Sequence, residues 1–288
     1  MHTIITKSFV MPLAFLVGNA LAASDAETRL LAPGVKKIEQ SSNFAVTIKH
    51  SKSPSIVISG DKAQFGKVEF KQSGDTLKIS QTPGIYSENN KLAIEINLPE
   101  VNEVSLNSSG SGKIEGFHGN ELKLTLAASG SANVDAQFRQ ASVVVAGSGS
   151  LNANLHSLES LKLSMTGSGS TTLQAQPQSS KIVLTGSGSL NASDFKAKEA
   201  QITLTGSGSA NLSGEAASAT ITLSGSGSLI APQWLTGNLV LNITGSGSAR
   251  VFARDNADVI VKGQGSATIL GNPTTRNAVA RVGRVHWE

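Results

Sequence analysis

The sequence predicts an all-β protein built as a β-solenoid, in which the chain winds through successive rungs of short strands. A GSGS-type motif returns along most of the chain at intervals of 18 to 20 residues. Aliphatic residues alternate with short polar residues on both sides of each motif. A fixed period near 20 residues is typical of solenoids, and strict alternation is typical of strands with one buried face. Because aromatic residues make up only 4% of the chain, small and aliphatic side chains are expected to fill the core.

The first 22 residues predict a secretory signal peptide. Lys7 precedes a short apolar run, which is followed by small residues that suit a signal peptidase. The mature chain is therefore expected to begin near Ala23, with residues 23–34 as a linker, and to be periplasmic or extracellular. The apolar run is too short to span a membrane, so no integral membrane segment is expected in the mature chain. Cysteine is absent, which excludes disulfides and thiolate metal sites.

Residues 35–106 predict the opening strands of the solenoid. Five segments alternate without the glycine motif and are separated by turn signals such as Ser73-Gly74-Asp75. These segments are Ala45 to Lys49, Ser55 to Ser59, Lys67 to Phe70, Leu77 to Ser80 and Leu92 to Leu98. Atypical strands at a solenoid end cap the stack and prevent edge-to-edge aggregation. This part is predicted to be a cap of one β-helix domain, residues 35–288, with a separate small β unit as the alternative.

Residues 107–270 predict the regular rungs. The motif begins at residues 108, 128, 147, 167, 186, 206, 225, 245 and 263. The period-2 alternation places the two glycines of each motif inward and the two serines outward, with a short strand on either side. Inward glycines indicate a sharp bend or a close approach of two walls. Four asparagines at matching positions are expected to form a partial column with rung-to-rung hydrogen bonds: Asn133, Asn152, Asn191 and Asn211.

Residues 271–288 predict the closing cap. Gly271-Asn272-Pro273 breaks the pattern, and Val279 to Trp287 is expected to close the second edge. No segment competes as a helix, and Phe195 to Ala200 is interpreted as a loop variation within one rung.

The strands before the repeat and their junction with it resemble a known family. AVTIK, SIVISGD, DTLKIS and KLAIEINLPEVNEVSLNSSGSGKI, followed by serial GSGS rungs and a closing GNP, are similar to the head GIN domain, a bacterial family of auto-transporter adhesin type. The resemblance spans residue 35 to the C-terminus. It implies an exported protein with a right-handed parallel β-helix; the periodicity alone does not give the hand. A terminal translocator barrel is not predicted within this sequence, so secretion by an auto-transporter route is not expected from it.

A search for catalytic chemistry gives no motif. Carbohydrate-active enzymes on β-helices use paired carboxylates or carboxylate-bound calcium, and here only Asp194 and Glu215 fall in matching arcs of adjacent rungs. Four histidines, at positions 50, 118, 156 and 286, lack metal-ligand spacing, and GSGS is neither a nucleophile elbow nor a phosphate loop. No catalytic residue, cofactor or metal is therefore expected. The net charge of +4 is interpreted as small and dispersed, which argues against nucleic acid as a partner.

The outward serines are the candidate ligand-facing surface. They form a predicted hydroxyl ladder of twelve residues: Ser148, Ser150, Ser168, Ser170, Ser187, Ser189, Ser207, Ser209, Ser226, Ser228, Ser246 and Ser248. Such a ladder suits a glycan or another cell-surface component, although small hydroxyls are also tolerated on any solvated strand. The function predicted is a non-enzymatic envelope or surface protein with an adhesin-like binding role. Two alternatives stay open: a polysaccharide lyase or hydrolase, and a structural or stress-related periplasmic protein.

Overall fold

A computed structural model describes residues 25–82 and 92–288, and the predicted signal peptide lies outside them. The described chain is nearly all β and forms a β-solenoid of about nine turns, which confirms the predicted fold class. Its rungs pair in parallel and in register. Among the described residues, no helix has the length and apolar character needed to cross a membrane.

Among the described residues, eight strands precede the regular rungs, and five of them overlap the five predicted segments, with Lys67 and Leu92 outside the strands. They are β1 (Asp25–Leu30), β2 (Lys37–Gln40), β3 (Ala45–His50), β4 (Ser55–Gly60), β5 (Val68–Ser73), β6 (Thr76–Gln81), β7 (Ala93–Leu98) and β8 (Glu103–Leu106). A short 3₁₀ helix, Lys62–Lys67, joins β4 to β5. Strands β2 and β3 pair in parallel with neighbouring rungs, whereas β1 pairs antiparallel with β4, and β5 with β6. Among the described strands, β1 and β5 form the edges at the N-terminal end, since β4 also pairs with β7 and β6 with β2.

Strand β1 lies in the segment that the sequence assigned to a linker. Residues 25–30 are mostly exposed and carry charges, so they lack the alternation that identifies a half-buried strand. Backbone pairing with β4, from Asp25 opposite Gly60 to Leu30 opposite Ser55, holds the segment in the sheet instead.

The regular rungs contain eleven strands among the described residues. They are β9 (Ser111–Ala128), β10 (Ser131–Gly147), β11 (Ser150–His156), β12 (Ser160–Gly167), β13 (Ser170–Ala175), β14 (Ser179–Gly186), β15 (Ser189–Gly206), β16 (Ser209–Gly225), β17 (Ser228–Ile243), β18 (Ser248–Val261) and β19 (Ser266–Leu270). The rungs of β11–β12 and β13–β14 have the two short strands that were predicted, and β19 is also a separate short strand. In β9, β10 and β15 to β18 the two segments merge into one bent strand of 14 to 18 residues.

The segment Phe195–Ala200 is part of β15, so its interpretation as a loop was wrong. Asp194 has a φ of 50°, and the register with β16 shifts between Ala192 and Phe195. This bulge displaces the alternation by one residue, which hides the strand pattern in the sequence. The side chain of Phe195 remains fully buried.

The core is one continuous cluster from Val35 to Ile269. Aliphatic columns dominate it, as expected, yet four of its largest fully buried side chains are the rings of Phe117, Phe138, Phe195 and Trp234. The composition therefore predicted the core only in part. A few rings are enough to fill the core at the arc between the two aliphatic segments of a rung. Glycines in adjacent rungs leave space for these rings: Gly119 lies beside Phe138, and Gly214 lies beside Phe195.

Both glycines of the motif lie against the backbone of the preceding rung, and the first also forms a bend. Gly186 has a φ of +113°, so it forms the bend at the end of a strand. Gly188 is buried, and a Cβ there would lie 2.7 Å from the carbonyl oxygen of Gly169 in the preceding rung. The close approach is therefore between stacked rungs along the axis and not between opposite walls.

The C-terminal end consists of β20 (Thr275–Ala280) and β21 (Arg284–Trp287), which pair in parallel with β18 and β19. Every residue of β20 is exposed, and among the described strands β20 pairs with β18 alone. The guanidinium carbon of Arg276 lies 5.4 Å from the ring centroid of Trp287, and its Nε donates to the carbonyl oxygen of Pro273. This cation–π pair partly covers the open end of the core.

Candidate hydroxyl ladder and its surroundings

The predicted serines stand in two columns at one corner of the rod. The first serines of the motif form the outer column, and all six of them are exposed: Ser148, Ser168, Ser187, Ser207, Ser226 and Ser246. The second serines form the inner column. Of these, Ser209 and Ser228 are half-buried, and the other four are exposed: Ser150, Ser170, Ser189 and Ser248. Strand pairing stacks this column in register at about 4.8 Å per rung.

The inner column is longer than the predicted ladder. Ser111, Ser131 and Ser266 continue it at the same register position. The sequence signal for them was present, because each follows a motif start by three residues. The prediction omitted them because those three motifs are not perfect GSGS.

Backbone hydrogen bonds fix the ladder, so the hydroxyl groups are not needed to hold it. The N–H of Ser187 donates to the carbonyl oxygen of Gly167 at 3.0 Å, and the N–H of Ser189 donates to that of Gly169 at 3.0 Å. The same pattern repeats in neighbouring rungs. The Oγ atoms are therefore carried on a rigid backbone, and exposed ones face solvent.

A strand face rich in hydroxyl groups lies beside the ladder. One outward column consists of Thr166, Thr185, Thr205, Ser224 and Thr244 in register. The Oγ1 of Thr244 donates to the Oγ of Ser224 at 3.1 Å. The corner and this face together form a regular hydroxyl surface on a rigid sheet, which is suited to contact with a flat or extended partner.

The predicted asparagine column lies on the other side of the ladder and faces outward. Asn133, Asn152, Asn191 and Asn211 are exposed and in register, with Thr172 between the second and third. A shallow concavity of about 280 Å³ beside the column includes Asn133 and Asn152 in its lining. The column therefore contributes to a polar surface and not to the core.

The two carboxylates considered for catalysis do come together, through a lysine. Lys196 Nζ lies 3.5 Å from Asp194 Oδ1 and 3.9 Å from Glu215 Oε1. Gln176 also donates to Asp194 at 3.0 Å. Asp194 lines a shallow concavity of about 260 Å³, and Glu215 is not part of its lining. Both carboxylates have more than 60% of their side-chain surface exposed, so neither has the desolvation that raises the pKa of a general acid.

The histidines are dispersed over the surface, except for one neighbouring pair. His50 and His118 have ring centroids 6.4 Å apart, and His50 packs edge-on against the ring of Phe117. His156 lies 3.5 Å from Asp135 Oδ1. Within residues 25–82 and 92–288, no group of three or more His, Asp or Glu side chains could hold a metal ion.

One ion pair that shifts the pKa values of both partners lies on the rungs of β3 and β7. Lys49 Nζ donates to Glu95 Oε2 at 2.7 Å, and Asn97 donates to Glu95 Oε1 at 3.1 Å. The hydrogen bond from Lys49 is the main cause that lowers the pKa of Glu95, and the same bond raises the pKa of Lys49. Both side chains are more than one-third exposed, so solvent screening limits the stabilisation to under about 1 kcal/mol.

This ion pair predicts a small acid sensitivity. The folded-state pKa of Glu95 is below its unfolded value, so the stabilisation is present above the unfolded pKa of about 4.3 and is lost as pH falls through the folded pKa. Glu95→Gln is expected to lower the free energy of unfolding at pH 7 by less than about 1 kcal/mol, and to have no effect at pH 2. Urea unfolding at the two pH values would measure the difference. Glu69→Gln, at an exposed site with no ion pair among the described residues, is the control.

Most of the described chain matches one known protein family. A family model described as "Putative auto-transporter adhesin, head GIN domain" matches residues 35–212 and, in an overlapping second match, residues 154–273. The two matches together extend over residues 35–273, from the opening strands through the last regular rung. No protein with a curated description matches the chain.

Two solved structures share the fold over nearly the whole chain. A "putative adhesin" from Parabacteroides merdae is 17% identical, with a TM-score of 0.52, and the match covers 92% of this chain and 96% of that one. A "Putative lipid binding protein" from Parabacteroides distasonis is 20% identical, with a TM-score of 0.50, and the match covers 91% and 96%. At these identities, the similarity establishes the fold alone.

Proposed function

The chain belongs to the head GIN domain family of auto-transporter adhesin type, and from this premise we propose that it is an exported, non-enzymatic surface protein that binds a cell-surface glycan. The hydroxyl ladder is the observation that supports this proposal best. It presents exposed serines at a constant spacing on a backbone that does not need their hydroxyl groups. Family membership supports a location at the surface or outside the cell. The rigid, hydroxyl-rich strand face beside the ladder supports binding over an extended area.

The chemistry of the ladder favours a neutral, extended polysaccharide. Hydroxyl groups both donate and accept hydrogen bonds, so a row of them can pair with the hydroxyl groups of successive sugars. The corner carries no charge of its own in the six middle rungs. A ligand that bridges several rungs would gain several weak hydrogen bonds, each contributing about 1 kcal/mol.

Binding to a panel of neutral oligosaccharides and purified envelope polysaccharides would test the proposal. The triple variant Ser187→Ala, Ser207→Ala and Ser226→Ala is expected to weaken binding by about 100-fold, since three hydrogen bonds of about 1 kcal/mol are lost. Its thermal midpoint is expected to stay unchanged because the backbone bonds remain. Isothermal titration calorimetry with a polysaccharide that binds the unmodified chain would measure the affinity.

A matched control uses serines on another edge of the same rod. Ser160, Ser179 and Ser218 share one register position away from the ladder, and Glu199 occupies that position in the rung between the last two. The hydroxyl groups of Ser179 and Ser218 donate to backbone carbonyl oxygens at 3.4 and 3.3 Å. Replacing all three by alanine removes the same number of hydroxyl groups and should leave glycan affinity unchanged. An equal loss in both triple variants would exclude the ladder as the binding surface. The absence of binding to every polysaccharide tested would contradict the glycan proposal itself.

A further inference from the structure

The net charge of this protein is concentrated in its last rungs. Between Asp258 and Glu288 the sequence contains no acidic residue and four basic ones, Lys262, Arg276, Arg281 and Arg284. The chain has 24 basic and 20 acidic residues, so the remainder carries 20 of each. The whole formal charge of +4 therefore belongs to one segment. The interpretation of this charge as dispersed, made from its total alone, was wrong.

The last rung also replaces the small polar motif by large residues. Register pairing places Arg284 directly after Ser266 in the inner serine column. Gly283 takes the place of the second motif glycine, because a Cβ there would contact the carbonyl oxygen of Gly265. Arg281-Val282-Gly283-Arg284 thus stands where other rungs have GSGS, and the ladder ends in cationic and apolar side chains.

These residues form one exposed group at the corner, which we call the tip patch: Lys262, Val279, Arg281, Val282 and Arg284. Val279 is 58% exposed and Val282 is 70% exposed, the latter the highest value among the exposed large apolar residues of the described chain. The three basic side chains are exposed and form no ion pair with any described residue.

The acidic residues that border the tip patch in sequence have other partners. The carboxylate of Asp258 accepts a hydrogen bond from Asn277 at 2.6 Å. Glu288 binds Arg250 through both carboxylate oxygens, at 3.1 and 2.7 Å. The positive charge of the tip patch is therefore not neutralised within the described part of the molecule.

We propose that the tip patch docks the end of the rod onto an anionic lipid bilayer. Clustered Lys and Arg are attracted to anionic headgroups, each contributing about 1 kcal/mol near the surface. Exposed valines between them can insert at the headgroup boundary, where apolar burial adds to the electrostatic attraction. A polysaccharide or nucleic acid would use the charges but would gain nothing from Val279 and Val282.

Docking at this end would orient the rod away from the membrane. The tip patch is at the end of the last rung, so the hydroxyl ladder would extend from the bilayer along the rod axis. This inference does not depend on glycan binding, because the two surfaces share no residue.

Co-sedimentation of the purified chain with vesicles would test the proposal. Binding is expected to mixed phosphatidylcholine–phosphatidylglycerol vesicles and not to pure phosphatidylcholine vesicles. Arg281→Ala with Arg284→Ala should lower the partition coefficient about 30-fold, which corresponds to about 2 kcal/mol for two charges. Val282→Ser should lower it about tenfold, by removing an apolar contribution of roughly 1.5 kcal/mol.

The matched control removes the same charge from the side of the rod. Lys162 and Lys181 are exposed and lie in register on adjacent rungs. Lys181 is five rungs from the rung of β20, a distance of about 24 Å at ~4.8 Å per rung. Replacing both by alanine should change partitioning by less than about twofold, because charges beyond about 10 Å are screened. Circular dichroism would verify that each variant is folded.

Three results would overturn the proposal. The first is equal binding to charged and uncharged vesicles, or none to either. The second is retained binding in the double arginine variant, or an equal loss in the lysine control. The third is a lower partition coefficient in the double arginine variant with an unchanged one in Val282→Ser. A higher affinity for a short DNA duplex than for the vesicles would count in the same way, because both results would indicate a general polyanion site.

Discussion

Gly188→Val is expected to destabilise the rod by about 3 kcal/mol or more, whereas Ser187→Ala should leave its stability unchanged. A Cβ on Gly188 would lie 2.7 Å from the carbonyl oxygen of Gly169, and valine adds two methyl groups to that atom. The obstacle is backbone, which cannot rotate away as a flexible side chain could. The two rungs must therefore separate or twist.

Separation of the rungs would break hydrogen bonds at the same place. The carbonyl oxygen of Gly169 accepts from the N–H of Ser189 at 3.0 Å, and the carbonyl oxygen of Gly188 accepts from the N–H of Ser209 at 3.0 Å. Both bonds connect stacked rungs, so a wider gap weakens the contacts on each side of residue 188. The destabilisation is expected to include these bonds, each worth about 1 kcal/mol.

Urea unfolding and thermal melts of the two variants would measure the difference. Gly188→Ala provides an intermediate case, with one carbon added and no branching, and its loss should fall between the other two. Ser187 is an appropriate neighbour for comparison because its side chain is exposed and its N–H remains bonded to Gly167. Equal stability of Gly188→Val and Ser187→Ala would contradict the stacked-glycine structure.

The same glycines show how far the sequence predicts this fold. Their regular spacing predicted the solenoid fold, and the alternation around them predicted which strand face is buried. Both predictions were possible because the two patterns repeat in every rung. The sequence could not show that the first glycine also forms a bend, since both glycines fall at the same parity. A Cβ on either glycine would lie within 2.7 Å of a carbonyl oxygen of the preceding rung, and only the φ of +113° at Gly186 distinguishes the bend.

Strands that lack alternation were not predictable in this way. Strand β1 is held by backbone pairing with β4 and buries little, so its sequence has no periodic signal. The bulge at Asp194 shifts the alternation within β15, so the strand pattern of this segment was also not recognisable in the sequence.

The candidate site was predictable in position but not in ligand. The serine columns follow from the register of the motif, and the structure places them at one exposed corner. A ligand leaves no comparable pattern on an open surface, because exposed serines cost little stability whether or not they bind. The tip patch was missed for a different reason: the total charge of +4 hides its concentration in one segment.

Trp234→Ala is expected to destabilise the protein by about 4 kcal/mol, through loss of the largest buried side chain of the core. Trp234 lies two rungs from Phe195, with Gly214 at the intermediate position. The absence of a side chain on Gly214 lets the two rings approach to 6.1 Å between centroids. The cavity left by the indole would therefore extend across more than one rung.

The indole also satisfies a buried backbone group. Its Nε1 donates to the carbonyl oxygen of Phe195 at 3.0 Å, across the intermediate rung. Trp234→Phe would remove this hydrogen bond and retain most of the ring volume, so a loss of about 1 to 2 kcal/mol is expected. The difference between the alanine and phenylalanine variants would then measure the loss of the buried ring, which includes its transfer free energy and the cavity left behind.

Leu235 is the matched control for this pair of variants, because it is the next residue and is 50% exposed. Leu235→Ala should cost less than about 1 kcal/mol, since little apolar surface leaves a buried environment. Urea unfolding followed by far-UV circular dichroism would compare all three variants without relying on tryptophan fluorescence. A loss in Leu235→Ala equal to that in Trp234→Ala would show that position 234 is not in the core, and a silent Trp234→Phe would exclude the hydrogen bond to Phe195.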